Sequence, residues 1–462
     1  MERFDAVVIG AGQAGPGVAG ELAGDGRTVA LIEYEQLGGT CLNHGCRPTK
    51  ALRASALVAH RARRAADYGV RVGDVTVDFP AVMDRMHTMI NSMRDGLRDW
   101  LESLSTLEII PGTAQLISSP TGDHRVRVSG QHGERELVAS EVYLDLGARA
   151  AVPPIPGLDR VDYLTEVELL QLTELPEELI VIGGSYIGCE FGQMFTRFGS
   201  SVTIIGTVAP KEDPDVSAAI AEVLTGERVR LVSGRAEQVE GDGERISVRC
   251  SDGSTVTGSH LLVAAGRRPN TDLLGEEHGL EVDDHGYIVV DGRFATSAPH
   301  VWALGDVNGR GAFTHTAYQD SQILLDPDRT VDGRITAYAM FTDPPLGRVG
   351  MTQAAARASG RRVMQAQLPM SQVSRAVLDS ETDGLMRILV DADSDEILGA
   401  SFFGLAGDEL AQQIGLAMQA GVGYPEVRDA LPIHPTVAEF IPTLLSSLTE
   451  LPVDPESGQA AS

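Results

Sequence analysis

The sequence predicts an α/β fold with two doubly wound βαβ units and a separate C-terminal α+β block. Three observations carry that expectation. Two segments open alike, with a short β-branched strand, a glycine turn, a helix and a second strand: Asp5-Ala-Val-Val-Ile-Gly10 to Thr28-Val-Ala-Leu-Ile-Glu33, and Leu179-Ile-Val-Ile-Gly183 to Ser201-Val-Thr-Ile-Ile-Gly206. Each is a unit of about 30 residues, the length that a right-handed parallel crossover needs. Glycine is plentiful at 51 residues and aromatics are few at 5%, which suits a chain of many tight turns better than an all-β one. Finally, 462 residues exceed what one core supports, so roughly two to four domains are expected.

In chain order, the first unit spans residues 1–150. After its βαβ start, amphipathic patterns through Ala51–Ala66 and Val82–Leu104 predict helices, and alternating residues near 107–146 predict strands. Pro153-Pro154-Ile155-Pro156-Gly157 is a stiff linker at the boundary to a second unit, 151–265. Residues 266–335 return to turn-rich α/β sequence and are expected to complete the first unit. Residues 336–450 form the C-terminal block, and the polar stretch 451–462 is expected to be a disordered tail.

A net charge of −28 without any Lys/Arg run repels phosphate backbones and anionic membranes, so neither nucleic acid nor membrane is expected as a partner. The apolar stretch Ala6–Ala23 lacks a cationic start and is broken by five glycines and Pro16. It reads as strand, loop and helix rather than as a signal peptide or membrane span. A cytoplasmic location is expected. Four cysteines, Cys41, Cys46, Cys189 and Cys250, are too few for a secreted disulfide framework, so the close pair points to redox chemistry or metal.

Gly10, Gly12 and Gly15 form GxGxxG between a strand and a helix. The first glycine makes the turn, the second lets the backbone approach a pyrophosphate, and the third lets helix and strand pack closely. Glu33 ends the next strand, where a carboxylate can accept from a ribose hydroxyl. These features predict a Rossmann-like dinucleotide-binding domain. The second unit is less regular: Gly183 and Gly188 fit, but Ser185 takes the middle position and Gly206 stands where an NAD site usually places an acid. With Lys211 the nearest cation, NADPH is slightly favoured over NADH. Two such domains imply that one cofactor passes electrons to the other.

Gly39-Thr-Cys41-Leu-Asn-His-Gly-Cys46-Arg-Pro-Thr-Lys50 carries the reaction. Cysteines five apart diverge by about 140° on an ideal helix, so they can bond only across a distorted turn, which Gly45 and Pro48 permit. Arg47, Lys50 and a helix N-terminus would lower the Cys46 pKa. Zinc is the competing reading, but Cys189 and Cys250 supply no second close pair, so no metal site is expected. His434, biased away from helix by Pro435, can give one ring nitrogen to Glu439 and use the other for proton transfer.

The segment Gly39–Lys50 resembles the redox helix of the class I pyridine nucleotide–disulfide oxidoreductases, the family of lipoamide dehydrogenase, glutathione reductase and mercuric reductase. Also matching are Gly183-Gly-Ser-Tyr-Ile-Gly-Cys-Glu190, Ala264-Ala-Gly-Arg-Arg-Pro-Asn-Thr271, Ala303-Leu-Gly-Asp306 and His434-Pro-Thr-Val-Ala-Glu439, so the resemblance covers nearly the whole chain. It implies FAD in the first domain, NADPH or NADH in the second, and a C-terminal dimerisation domain in an obligate homodimer.

By position, the resemblance makes Cys46 the thiol beside the flavin and Cys41 the thiol that exchanges with substrate. Lys50 and Glu190 match an ion pair near the flavin, Tyr186 a residue gating the nicotinamide pocket, and Asp306 a carboxylate on the ribityl chain. Gly39, Thr40, Gly147, Gly266 and Gly305 are further expected cofactor contacts. His434 and Glu439 would act as acid–base pair from the partner subunit.

The likeness is greatest to the mercuric-reductase-like group that keeps His-Pro-Thr but lacks the C-terminal cysteine pair, with Phe341–Gly350 and Phe313–Tyr318 contributing. His44 and Arg47 are unusual in the redox helix and suit either an acidic substrate or metal ion, or a solvated role. The expected activity is electron transfer from NAD(P)H through flavin and a Cys41–Cys46 disulfide to a disulfide, metal-ion or other small acceptor. The alternatives are a dihydrolipoamide dehydrogenase working oxidatively, a flavin-direct quinone or oxygen reductase, and a flavin-binding interaction protein without turnover.

Overall fold

The computed structural model describes all residues except 118, 120–122, 132 and 453–462. The first unit is a seven-stranded sheet. It contains β1 (Glu2–Ile9), β2 (Val29–Glu33), β3 (Leu107–Pro111), β4 (Thr113–Ile117), β5 (His124–Gly130) and β6 (Gly133–Leu144), joined by helices α1 (Gly15–Gly24), α2 (Gly39–Asn43), α3 (Cys46–Arg63) and α4 (Phe79–Glu102). Strand order is β3-β2-β1-β6-β5-β4. β1 is buried over Ala6–Ile9 because it is sandwiched between parallel neighbours and covered on both faces, the pattern of a fully buried parallel strand.

The ribbon β7 (Ala148–Ala150) leads out of this sheet, past the short helix α5 (Glu166–Leu169), into a four-stranded parallel sheet. That sheet has β8 (Glu178–Ile182), α6 (Tyr186–Phe198), β9 (Ser201–Ile205), α7 (Pro214–Gly226) and β10 (Arg230–Val232). A three-stranded meander follows, β11 (Ala236–Gly241), β12 (Ile246–Cys250) and β13 (Thr255–Gly258), before β14 (His260–Val263) completes the order β10-β9-β8-β14. The chain returns through β15 (Arg267–Pro269), antiparallel to β7, and adds β16 (Val301–Ala303) beside β6. After β16 the chain continues into α8 (Thr314–Leu325).

The C-terminal block is an antiparallel sheet of order β17-β18-β21-β20-β19-β22. Its elements are β17 (Ala337–Met340), β18 (Leu346–Gly350), α9 (Gln353–Ala358), β19 (Val363–Pro369), α10 (Ser374–Leu378), β20 (Leu385–Asp391), β21 (Ile397–Phe403), α11 (Gly407–Gln419), α12 (Tyr424–Arg428), α13 (Phe440–Leu445) and β22 (Thr449–Glu450). Leu451 and Pro452, expected in the disordered tail, are instead held in place. The Leu451 amide donates to Val363 O at 3.0 Å and Pro452 O accepts from Arg357 Nε at 3.0 Å, because β22 extends the sheet edge. The rest of that tail, 453–462, lies outside the described residues.

Buried ion pairs tie the second unit to this block. Arg348 Nη1 donates to Glu212 Oε2 at 2.8 Å and Arg387 Nη1 to Asp213 Oδ2 at 3.0 Å, while Tyr338 also bonds Glu212 and Arg387 also bonds Asp215. Both arginines are almost wholly buried, so each is fixed by its carboxylates rather than by water.

Candidate active site

A cleft of about 1520 Å³, partly open to solvent, runs from the end of β2 past the β1–α1 turn to the start of α3. Gly10 has φ of +98°, and a Cβ there would stand 2.2 Å from Asp145 O, so only glycine closes this turn. Gly15 backs onto Gly10 O in the same way, as the close packing of helix on strand requires. Gly12 follows on the same turn. The side where its Cβ would stand is taken by the Asp145 carboxylate, 2.8 Å away.

Glu33 is buried, and its two oxygens accept from the Ala11 and Glu35 amides at 2.8 and 2.9 Å. Burial pushes its carboxyl up. It still faces the cleft, with acceptor capacity left over.

The helix breaks at His44 and Gly45, between α2 and α3, which puts Cys46 at the first residue of α3. Both thiols are free, and both face the cleft. The Thr314 hydroxyl, at the N-terminus of α8, lies 3.2 Å from Cys46 Sγ. The Cys41 thiol beside it, Thr314 and the Lys50 charge bring Cys46 down to about 5, against burial and the Glu190 charge. Cys41 is pushed up by the same pairing, by burial and by the charge on Cys46. The pair is thus polarised, thiolate at 46 and thiol at 41.

Lys50 Nζ donates to Glu190 Oε2 at 2.9 Å and lies 4.3 Å over the Phe341 ring. Glu190 Oε1 accepts from the Phe341 amide at 2.8 Å. Tyr186, on the cleft wall, is pushed up to about 12 by burial and faces Phe313 at 6.1 Å. Burial also raises the Asp306 carboxyl, opposed by Arg267, whose Nε is 3.8 Å away.

Gly10, Gly12, Glu33, Gly39, Thr40, Cys41, Cys46, Gly147, Lys50, Tyr186, Glu190 and Asp306 are thus brought to one cleft. Gly183, Ser185 and Gly188 lie at the separate β8–α6 turn, where Ser185 is the N-cap of α6 without a side-chain bond. Gly266 belongs to the return ribbon. His434 is not brought to the cleft of its own chain: its ring is 77% exposed, with Nδ1 2.8 Å from Glu439 Oε2.

Sequence reasoning missed Thr314 as a neighbour of Cys46, Arg267, and Asp145 on the cleft wall. Thr314 and Arg267 lie in the quoted Phe313–Tyr318 and Ala264–Thr271 segments, but nothing local marks the long-range contact of any of the three.

The match to known proteins is decided along the whole chain. Residues 4–321 match the family model described as pyridine nucleotide-disulphide oxidoreductase, and residues 336–445 match the dimerisation domain of that family. The chain belongs to this family. It is an FAD-dependent, NAD(P)H-linked disulfide oxidoreductase.

Its relatives include the probable pyridine nucleotide-disulfide oxidoreductase RclA of Escherichia coli, 34% identical over 96% of this chain and 99% of the relative. The dihydrolipoyl dehydrogenase of Chlamydia muridarum is 31% identical over 95% of each chain. Among solved structures, the Cu(II) complex of the HOCl-induced flavoprotein disulfide reductase RclA from Escherichia coli superposes with a TM-score of 0.87 at 33% identity, covering 96% of this chain and 99% of that one.

The cleft of this oxidoreductase fits FAD. The glycine turn of Gly10 and Gly12, the Glu33 carboxylate and both cysteines line it together, and His44 Nδ1 on its wall is buried without a partner among the described residues, as a site built for a polar ligand would leave it. Among the described residues, no helix is long and apolar enough to cross a membrane.

Proposed function

We propose that Cys41 and Cys46 cycle between disulfide and dithiol and pass electron pairs to a small soft acceptor, a disulfide or a metal ion. The polarised thiol pair at the start of α3 carries this reading. In the FAD site, Glu33 holds the ribose, the Gly10–Gly15 turn, Gly39 and Thr40 the diphosphate, and Gly147, Gly305 and Asp306 the middle of the cofactor. FAD, when bound, takes hydride from NAD(P)H and delivers two electrons, chemistry that no side chain supplies. The β8–α6 turn with Gly183, Ser185 and Gly188, and Gly266 beside it, receives the nicotinamide nucleotide, and Tyr186 gates its entry.

Reduction of the disulfide by two electrons and one proton leaves a thiolate at Cys46 and a thiol at Cys41. The Lys50 charge, with Glu190 holding the ammonium in place, and the Thr314 hydroxyl stabilise the thiolate. Cys41 must lose its proton before it attacks an acceptor. His434 of the partner subunit takes it, oriented by a carboxylate on Nδ1. The exposed ring in a single chain and the dimerisation domain support a homodimer. A reducing compartment, the cytoplasm, suits an enzyme that works through free thiols.

The test is a thiol count on purified holoenzyme before and after anaerobic NADPH. Two new thiols per chain are expected, and none in Cys46→Ser. An unchanged count refutes the disulfide cycle, and full quinone turnover by Cys41→Ser would favour direct reduction by flavin. An acceptor screen over disulfides, metal ions and quinones, with both nicotinamides, then fixes the substrate class.

A further inference from the structure

Asp145 follows β6, and its carboxyl is 6% exposed on the cleft wall. Oδ2 accepts from the Gly15 amide at 2.7 Å and from the Ala14 amide at 3.2 Å. A Cβ at Gly12 would stand 2.8 Å from Oδ2, and one at Gly305 3.3 Å from Oδ1. The carboxyl is therefore wedged between the two glycine turns and holds the amides at the positive end of α1, the pole that attracts anions.

Among the described residues, the charges that act on it most strongly belong to acids. Glu33 approaches from β2 and Asp306 from the turn at 305–308, while α1 offers only backbone amides. Of the guanidinium groups beside these acids, Arg267 bonds Glu166 at 2.9 Å and lies beside Asp306, and Arg334 pairs with Asp320 through one of its nitrogens. Burial, helped by the Asp306 and Glu33 charges, holds the Asp145 carboxyl up at about 8 against the Gly15 and Ala14 amides.

We propose that Asp145 is a proton-linked contact for the FAD diphosphate: the carboxyl is neutral in the loaded protein, and the cofactor is released when it ionises. The inference rests on reading this cleft as the FAD site. Ionised, Asp145 would set a buried negative charge beside a dianion and compete with it for the Ala14 amide. Protonated from solvent, it keeps one oxygen for the Gly15 amide and gains an O–H that can donate to a phosphate oxygen. A repulsion becomes a hydrogen bond at the expense of one proton taken from solvent.

The experiment measures FAD retention by purified holoenzyme, from flavin absorbance after ultrafiltration between about pH 6 and 10. For wild type, the dissociation constant is expected to stay level up to about pH 8 and then to rise toward tenfold per pH unit, the slope of one linked proton. Asp145→Asn, which keeps an acceptor and a donor but cannot ionise, is expected to stay level throughout. Coincident wild-type and variant profiles overturn the coupling.

If neither Asp145→Asn nor Asp145→Ala folds, wild type alone decides. Rebinding FAD at about pH 9 in weak buffer should take up one proton per chain at most and a measurable fraction of one at least, and proton-free rebinding overturns the proposal. A protein that holds no FAD at any pH would fell the assignment of the cleft itself, an outcome distinct from proton-free binding.

Discussion

Replacing Thr314 by Val tests how the Cys46 thiolate is stabilised. The Thr314 hydroxyl is 3.2 Å from Cys46 Sγ, and the variant removes that donor while keeping the shape of the side chain. A hydrogen bond to a charged group contributes about 1.5–3 kcal/mol. Cys46 is exposed in the single chain, so the lower end applies. At about 1.4 kcal/mol per pKa unit, the Cys46 pKa should rise by roughly one unit. The wild-type value is about 5, so the variant's should lie near 6. The sign is fixed by the chemistry: the reactive thiolate is complete above the folded-state pKa and is lost as pH falls through it. Iodoacetamide alkylation of the reduced protein, followed across pH by peptide mass spectrometry, reads the midpoint for Cys46 separately from Cys41. An unmoved midpoint would refute the role given to this hydroxyl.

Lys50→Met leaves Glu190, 4% exposed, without its cation; because the lysine end is a third exposed, the expected loss lies between surface and buried pairs, about 2 kcal/mol in urea unfolding of the holoprotein. Equal midpoints for wild type and variant would show that the pair contributes nothing. Arg387→Met takes the nearer cation from the buried Asp213 carboxylate, which keeps the Gln353 amide and Arg348 at 3.9 Å, and should destabilise by about 3 kcal/mol, measured as a lowered denaturant midpoint. His434→Gln should slow acceptor reduction by about 10²–10⁴-fold with flavin reduction by NADPH unaffected. Co-folding Cys46→Ser chains with His434→Gln chains should restore one working site per mixed dimer, and a mixture as inactive as its parents would contradict a site shared between subunits.

Local signals in the sequence identify the elements well. Each β-strand, glycine turn and helix of the two βαβ units is written within about 30 residues, because strand–helix packing at a glycine is a short-range requirement. The break between α2 and α3 was likewise legible, from the spacing of Cys41 and Cys46 and from Gly45. The His434–Glu439 bond spans only five residues. What escaped is what the fold brings from afar. Thr314 meets Cys46 across 268 residues, and Asp145 reaches the α1 amides across 130, neither with any periodicity to announce it. Arg348 and Arg387, buried in strands, run against the apolar pattern that identifies a core, since each is matched by an acid on a different domain.

Those arginines also have a mechanical consequence. The loop that precedes α7 is bolted through Glu212 and Asp213 to the C-terminal sheet, and Arg197 on α6 is bolted to Asp343 at 2.7 Å. Swinging the second nucleotide unit away from that sheet would strip several interred charges of their counterions at once. A hinged, jaw-like opening between that unit and the sheet is therefore costly, since all of these pairs would have to part together.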